Sequence, residues 1–232
     1  MTLNLGIHSF FSGLGFLDLG FEDEGFAIEF ANEICPSFMD ASLYARRQLN
    51  KGQPRLGQYI GSIEDFNAAK QNVLRSNLQE SRKTCDFVGF IGGPPCPDFS
   101  IGGKNRGYTG DNGRLTEVYI ELIIEHQPDF FLFENVKGLW RTKKHRAFYE
   151  NMKYRLVNRV GYRLHEKLVN AIEFGVPQDR DRIILVGFHP RLLSELAHFR
   201  SNPHLAFPWN HHALMEAAAI FSLPWPTTSQ FK

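Results

Sequence analysis

Two glycines and two prolines lead into Cys96 in the stretch GGPPCPDFS, and a polar, glycine-rich run from Ile101 to Gly113 follows it. A cysteine that only fills a core needs neither so stiff an entry nor so loose an exit. The thiolate is the attacking form, and a free thiol of pKa ~8.5 is mostly protonated at neutral pH. Lys104 and Arg106, in the run that follows, are candidates to lower that value. Further on, PDFFLFENVKGLW puts Glu134 and Asn135 at the end of an apolar run. A carboxyl group there is expected to be partly desolvated, a setting in which it can hold or donate a proton near neutrality. A third cluster, Gln178, Arg180 and Arg182, precedes the apolar run IILVGF, and arginines entering a sheet edge are usually paired or bind an anion. Each cluster alone is more often structural than catalytic. Together they are a nucleophile, an acid and a pair of cations that need one explanation.

A fourth group lies near the start. In SFFSGLGFLDLGFEDEGF, Gly13 and Gly15 allow a tight turn with room for a ligand beside the backbone. A dinucleotide fingerprint would place a third glycine where Asp18 stands, so a nicotinamide cofactor is disfavoured. Glu33, at the end of the next apolar run, is placed to accept hydrogen bonds from a ribose. A glycine turn plus that acid suits an adenosine-containing ligand without a pyrophosphate. A plain turn and a surface glutamate fit these residues equally well when taken alone.

The elements that must hold these groups follow a βαβ rhythm. Short apolar runs over Asn4–Ser9, Phe26–Ala31, Asp86–Ile91, Asp129–Phe133, Tyr162–Val169 and Arg182–Phe188 read as strands. Cys35–Leu49, Ile63–Leu78, Leu115–His126, Lys144–Val160 and His189–Ala197 read as helices. The fold class expected is α/β, a mostly parallel, doubly wound, Rossmann-like sheet, with ligands at the carboxyl ends of its strands.

Composition narrows the function. The 232 residues suffice for one large domain, and a hydrophobic share of 43% is that of a globular chain. A net charge of +1 allows a polyanion partner only through a local basic surface. Neither a secretory leader nor a membrane-spanning run is visible, and three cysteines (Cys35, Cys85, Cys96) make no disulfide framework, so a cytoplasmic location is expected. The histidines have no companion ligands at metal spacing, so no metal is expected. A cysteine hydrolase would need a histidine base and an orienting third residue, which no motif supplies.

In order and spacing, FFSGLG, GGPPCPDFS, ENVKGL and VPQDRDRIILVGF together resemble the motifs of the DNA (cytosine-5) methyltransferases, over residues 4 to about 190. The resemblance implies an S-adenosylmethionine-dependent methyl transfer to C5 of a cytosine flipped out of double-stranded DNA, within a restriction-modification system. It implies that Cys96 adds to C6 of the ring, that Glu134 meets the pyrimidine edge, and that Pro95 stiffens the nucleophile loop. Asn135 would brace that loop, and Arg180 and Arg182 would steady base and loop. Phe11, Gly13, Leu14 and Gly15 are implied in the cofactor pocket, with Glu33 at the ribose, Ile34, Ser62 and Ile63 at the adenine and Leu115 on the wall. Ser100, Lys104, Arg106 and Arg114 are implied as DNA contacts, joined by a basic cluster of Lys137, Arg141, Lys143, Lys144 and Arg146, which a solvated helix start explains equally well. The run from Ile101 to Gly113 resembles the loop that closes over the base.

Several residues depart from the family pattern: Phe16 for a glycine, Ile34 for a tryptophan, Ser62 for an aspartate, Pro97 for a glutamine and Asn112 for an arginine. The division expected is a catalytic domain over 1–190 and, over 191–232, the lead-in to a target-recognition region. The resemblance implies that this region and two late motifs lie outside these residues. The chain is then expected to be a fragment, a truncated form, or one subunit of a split enzyme completed by a second chain. Alone it is expected to bind cofactor weakly and methylate little. A tRNA cytosine methyltransferase and a non-catalytic nucleic-acid-binding remnant are the other readings.

Overall fold

The computed structural model describes residues 3–68, 70–95 and 111–195. Seven strands form one sheet: β1 (Leu5–Phe10), β2 (Ala27–Glu33), β3 (Gln58–Ile60), β4 (Phe87–Gly92), β5 (Phe130–Val136), β6 (Arg163–Asn170) and β7 (Asp181–Phe188). Their order across the sheet is β3-β2-β1-β4-β5-β7-β6. The first five run parallel, while β7 is antiparallel to both β5 and β6.

Helices cover both faces because inward residues alternate along each strand. On one face α3 (Gln71–Thr84), α4 (Asp111–His126) and α6 (Lys143–Val160) press Leu74, Ile120 and Met152 onto a core containing Phe10, Phe90 and Phe133. On the other, α1 (Phe16–Asp23) and α7 (Pro190–Glu195) bring Leu17, Phe21 and Leu192 against Ile7, Ile28 and Ile91. α2 (Pro36–Gln48) is tied to α1 by the ion pair of Arg46 with Glu22. The short α5 (Lys137–Arg141) follows β5 directly. The expected α/β class and mostly parallel sheet are therefore present.

Two expectations change. The helix expected over Ile63–Leu78 is a single helical turn, Ile63–Asn67, and then α3, which runs on to Thr84. The break is at Ala68, whose backbone leaves the helical region (φ −133°, ψ −103°) while Lys70 N–H turns back to Asp65 O at 2.7 Å. β5 also runs three residues past the expected Phe133, because β7 pairs alongside it as far as Val136 opposite Arg182. Glu134 and Asn135 thus belong to a strand pair rather than to a loop.

The Phe-Phe pair of β5 is seated on glycines of its two neighbours. Phe130 lies opposite Gly89 of β4, and Phe131 lies opposite Gly187 of β7 on the other face. A Cβ at Gly89 would meet the Phe130 ring at 2.1 Å, and one at Gly187 the Phe131 ring at 2.0 Å. The glycines make room for aromatic rings across the strands.

His8 of β1 is fully buried between Phe30 and Phe90, with Nε2 2.8 Å from Ser81 Oγ. Burial, aided by His126, lowers its pKa from 6.5 to about 3. The native state refuses a proton that the unfolded chain accepts, so stability present above pH 6.5 is lost as pH falls towards 3. Urea unfolding should show this loss, at most about 1.4 kcal/mol per pH unit for one such histidine. The slope below neutrality should be shallower in His8→Gln; an unchanged slope would refute the assignment.

Candidate active site

Glu134 and Arg182 meet across the β5–β7 pair. Arg182 faces Val136 in the ladder, so its side chain shares a face with Glu134 two residues back, and its Nε lies 2.6 Å from Glu134 Oε1. The acid is partly buried, with its side chain 30% exposed, as its place at the end of an apolar strand led one to expect. Arg182 also donates from Nη1 to the carbonyl of Asp181 at 2.7 Å, which fixes the guanidinium at the start of β7.

The backbone leading towards Cys96 passes over this acid. A Cβ at Gly93 would stand 2.9 Å from Glu134 Oε2, so glycine lets the chain cross without displacing the carboxylate. Asn135, almost wholly buried, donates from Nδ2 to the carbonyl of Pro94 at 3.4 Å, and its Oδ1 accepts the Val136 N–H at 3.0 Å. Pro95, half-buried, is the last residue described before the nucleophile candidate. Cys96 itself, together with Pro97, Ser100, Lys104, Arg106 and most of the expected closing loop, lies outside the described residues, as do residues 196–232.

Sequence reasoning passed over the bracket behind Arg182. Lys137 Nζ pairs with Asp181 Oδ2, and Asn170 Nδ2 donates to Asp179 Oδ1 (2.7 Å) and Asp181 Oδ1 (2.9 Å). The partners are 33 to 44 positions from Lys137, too far for any spacing rule to join them. Lys137 is therefore engaged in the fold through Asp181. Arg146, from the same basic cluster, pairs with Glu150 and lies over the Trp140 ring. Arg114, expected at DNA, is held by Glu64 at 3.2 Å. Arg180 is exposed, and its carbonyl accepts the Ala171 N–H at 3.1 Å.

At the carboxyl ends of β1 and β2 the glycine turn has the shape a ligand cradle needs. Phe11 (φ 54°), Gly13 (φ 56°) and Gly15 (φ 81°) all have positive φ. For Phe11 that conformation is strained, and it is held by Ser12 N–H donating to Asn32 O at 3.0 Å and by edge packing on Tyr119. A Cβ at Gly15 would run into Ser42 Oγ at 2.5 Å. Glu33 accepts from the backbone N–H of Gly13 at Oε2 (2.8 Å) and of Cys35 at Oε1 (2.9 Å), leaving the carboxylate's outer lone pairs for another donor. The buried Ser12 hydroxyl has no hydrogen-bond partner among the described residues, which a ligand or water would supply. Leu14, Phe16, Ile34 and Ile60 stand exposed around the turn, an apolar rim of the kind a nucleoside covers. Ser62 caps the turn after β3 by accepting the Glu64 N–H at 3.2 Å, while Ile63 is buried in the core and Leu115 packs against it.

Residues 5–224 match the family model for C-5 cytosine-specific DNA methylases. The chain belongs to that family. It is 49% identical to the type II methyltransferase M.NmeDI of Neisseria meningitidis serogroup C, over 97% of the chain and 51% of that protein. It is 34% identical to the type II methyltransferase M.MthTI of Methanothermobacter thermautotrophicus, over 82% of the chain and 51% of that protein. Among solved structures it resembles a DNA modification methyltransferase encoded within an Escherichia coli prophage, at 27% identity and a TM-score of 0.60, covering 82% of this chain and 48% of that one. The chain thus spans about half the length of the curated relatives it matches. Methyltransferase folds of this kind are mixed α/β, as found here. No helix among the described residues is long and apolar enough to cross a membrane.

Proposed function

We propose that this chain carries the catalytic centre of an enzyme that methylates C5 of cytosine in DNA, in the cytoplasm and within a restriction-modification system. The observation that supports it best is the passage of the Gly93–Pro94 backbone over the Glu134–Arg182 pair, immediately before Cys96. Cytosine C5 is too weak a nucleophile to accept a methyl group unaided. In this reading the Cys96 thiolate adds to C6 of a base turned out of the duplex, and Glu134 donates a hydrogen bond or proton at the N3 edge. The ring becomes an enamine whose C5 attacks the methyl group; loss of the C5 proton then expels the thiolate. Arg182 keeps Glu134 aimed at the base, and Asn135 keeps the prolines in place.

S-Adenosylmethionine, when bound, supplies the methyl group as a sulfonium leaving-group donor. The residues present fit it: Glu33 has lone pairs for the ribose, the Gly13–Gly15 turn leaves the backbone open, and Leu14 and Ile34 offer apolar cover. The remaining length of the relatives is taken to supply base-edge readout, in this polypeptide or a second one.

The test is covalent trapping on duplex DNA containing 5-fluorocytosine. The chain is mixed with S-adenosylmethionine, alone and with a polypeptide spanning the part of M.NmeDI outside the match. A stable adduct in at least one mixture, absent without S-adenosylmethionine and absent in Cys96→Ser, is the expected result. No adduct in either mixture would overturn the proposal.

A further inference from the structure

Asp18 has no part in the chemistry above, yet it is a buried carboxylate at the cofactor turn. It is the third residue of α1, only 2% exposed, and it reaches back to β1, where Ser9 Oγ donates to its Oδ1 at 2.6 Å. The charged groups that face it are Arg46 of α2 and Glu22 one turn along α1, and those two bind each other through paired hydrogen bonds of 2.8 and 2.7 Å. Asp18 therefore has no ion-pair partner among the described residues. Burial raises its pKa from 3.8 to about 6, against the lowering by Ser9 and Arg46. An unpaired buried charge is costly, and asparagine would fill the same space and accept the same hydroxyl. The same corner holds the unpartnered Ser12 hydroxyl and the strained Phe11.

Resting on the cofactor assignment above, we propose that Asp18 is a positioning residue for the methyl donor. Its negative charge, behind the turn that follows β1, favours the cationic sulfonium donor over the neutral thioether product. The carboxylate touches neither ligand; it acts through the field at the turn and through Ser9, which joins β1 to α1. Once the methyl group has left, the sulfur is neutral and this attraction ends, so product yields its place to fresh donor.

Calorimetric titration of the chain with S-adenosylmethionine and, separately, S-adenosylhomocysteine tests this. Asp18→Asn should weaken the sulfonium ligand about fivefold and leave the thioether within about twofold. In the wild type the preference for the sulfonium should shrink between about pH 7.5 and pH 5.5, as Asp18 takes up a proton; in Asp18→Asn it should not. Ser9→Ala, which keeps the charge, should keep the preference. Equal losses for both ligands in Asp18→Asn would show a merely structural corner and overturn the proposal while sparing the cofactor assignment. Failure of both ligands to bind the wild type, alone and with the polypeptide spanning the rest of M.NmeDI, would overturn both. Should Asp18→Asn fail to fold, the wild-type preference at the two pH values decides alone, a constant preference refuting the role.

Discussion

Glu134→Gln is expected to lower the rate of covalent capture of 5-fluorocytosine DNA at least about a hundredfold, with the fold intact. Glutamine keeps the length and planar shape of the side chain, and it can still accept from Arg182, which is itself only 20% exposed. What it cannot do is carry the charge that pairs with the guanidinium at 2.6 Å or hand a proton to a ring nitrogen. Loss of one general acid costs about 10²–10⁴ in rate, and part of the loss here comes from an Arg182 whose charge no longer has a partner at this position. Circular dichroism and the melting temperature separate chemistry from folding: the partly buried pair contributes about 1 kcal/mol, so the melt should move only a few degrees. A Glu134→Gln chain that captures DNA at the wild-type rate would remove Glu134 from the mechanism. Glu134→Asp, which retracts the carboxylate from Arg182 and from Gly93, should fall between the two.

Gly187→Ala should produce the largest loss of stability among single-methyl additions. The added Cβ would stand 2.0 Å from the ring of Phe131, which is wholly buried and packed edge-on to Tyr162 at 5.0 Å. Neither ring has open space to move into, so β7 must pull away from β5 or the ring must leave its rotamer. Overpacking of this sort costs about 3 kcal/mol, which for a chain of this size lowers the melting temperature by roughly 6–12 °C. The same displacement would carry Arg182 away from Glu134, so capture of DNA should fall with stability. Gly20→Ala is the matched control: it lies within α1 with nothing within 4 Å of its Cβ, and there alanine should raise stability by about 0.5–1 kcal/mol. Equal effects at the two positions in a thermal melt would contradict the packing described.

The sheet was legible in the sequence because five of its strands carry apolar runs; β6, RLHEKLVN, is a mixed edge strand, and β3, three residues long at the other edge, has no such run. The groups proposed for catalysis were legible as clusters, since Glu134 ends an apolar strand and Arg182 begins one. Their contact was not, because it depends on β7 entering beside β5 in antiparallel register, which local pattern does not encode. The same limit hid the Lys137–Asp181–Asn170 bracket and the Ser9–Asp18 bond, each made between separate elements whose packing no local pattern encodes. Asp18 was visible only as the residue that broke a glycine fingerprint. The ion pairs of Arg114 with Glu64 and of Lys137 with Asp181 were not legible, because composition shows charge and not the carboxylates that fold against it.

The strand order also governs how the protein comes off the ribosome. β6 is synthesised before β7 but pairs with β7 alone, and β7 must slot between β6 and β5. A nascent chain that has reached Asn170 therefore presents the open flank of β5, Phe130–Val136, with no neighbour to accept its hydrogen bonds. Such a flank invites pairing with other chains. Emergence of Asp181–Phe188 closes it and delivers Arg182 to Glu134 in the same event. Protection of the β5 flank and assembly of the proposed reactive centre are thus one step in biogenesis, and it is taken with the last strand described.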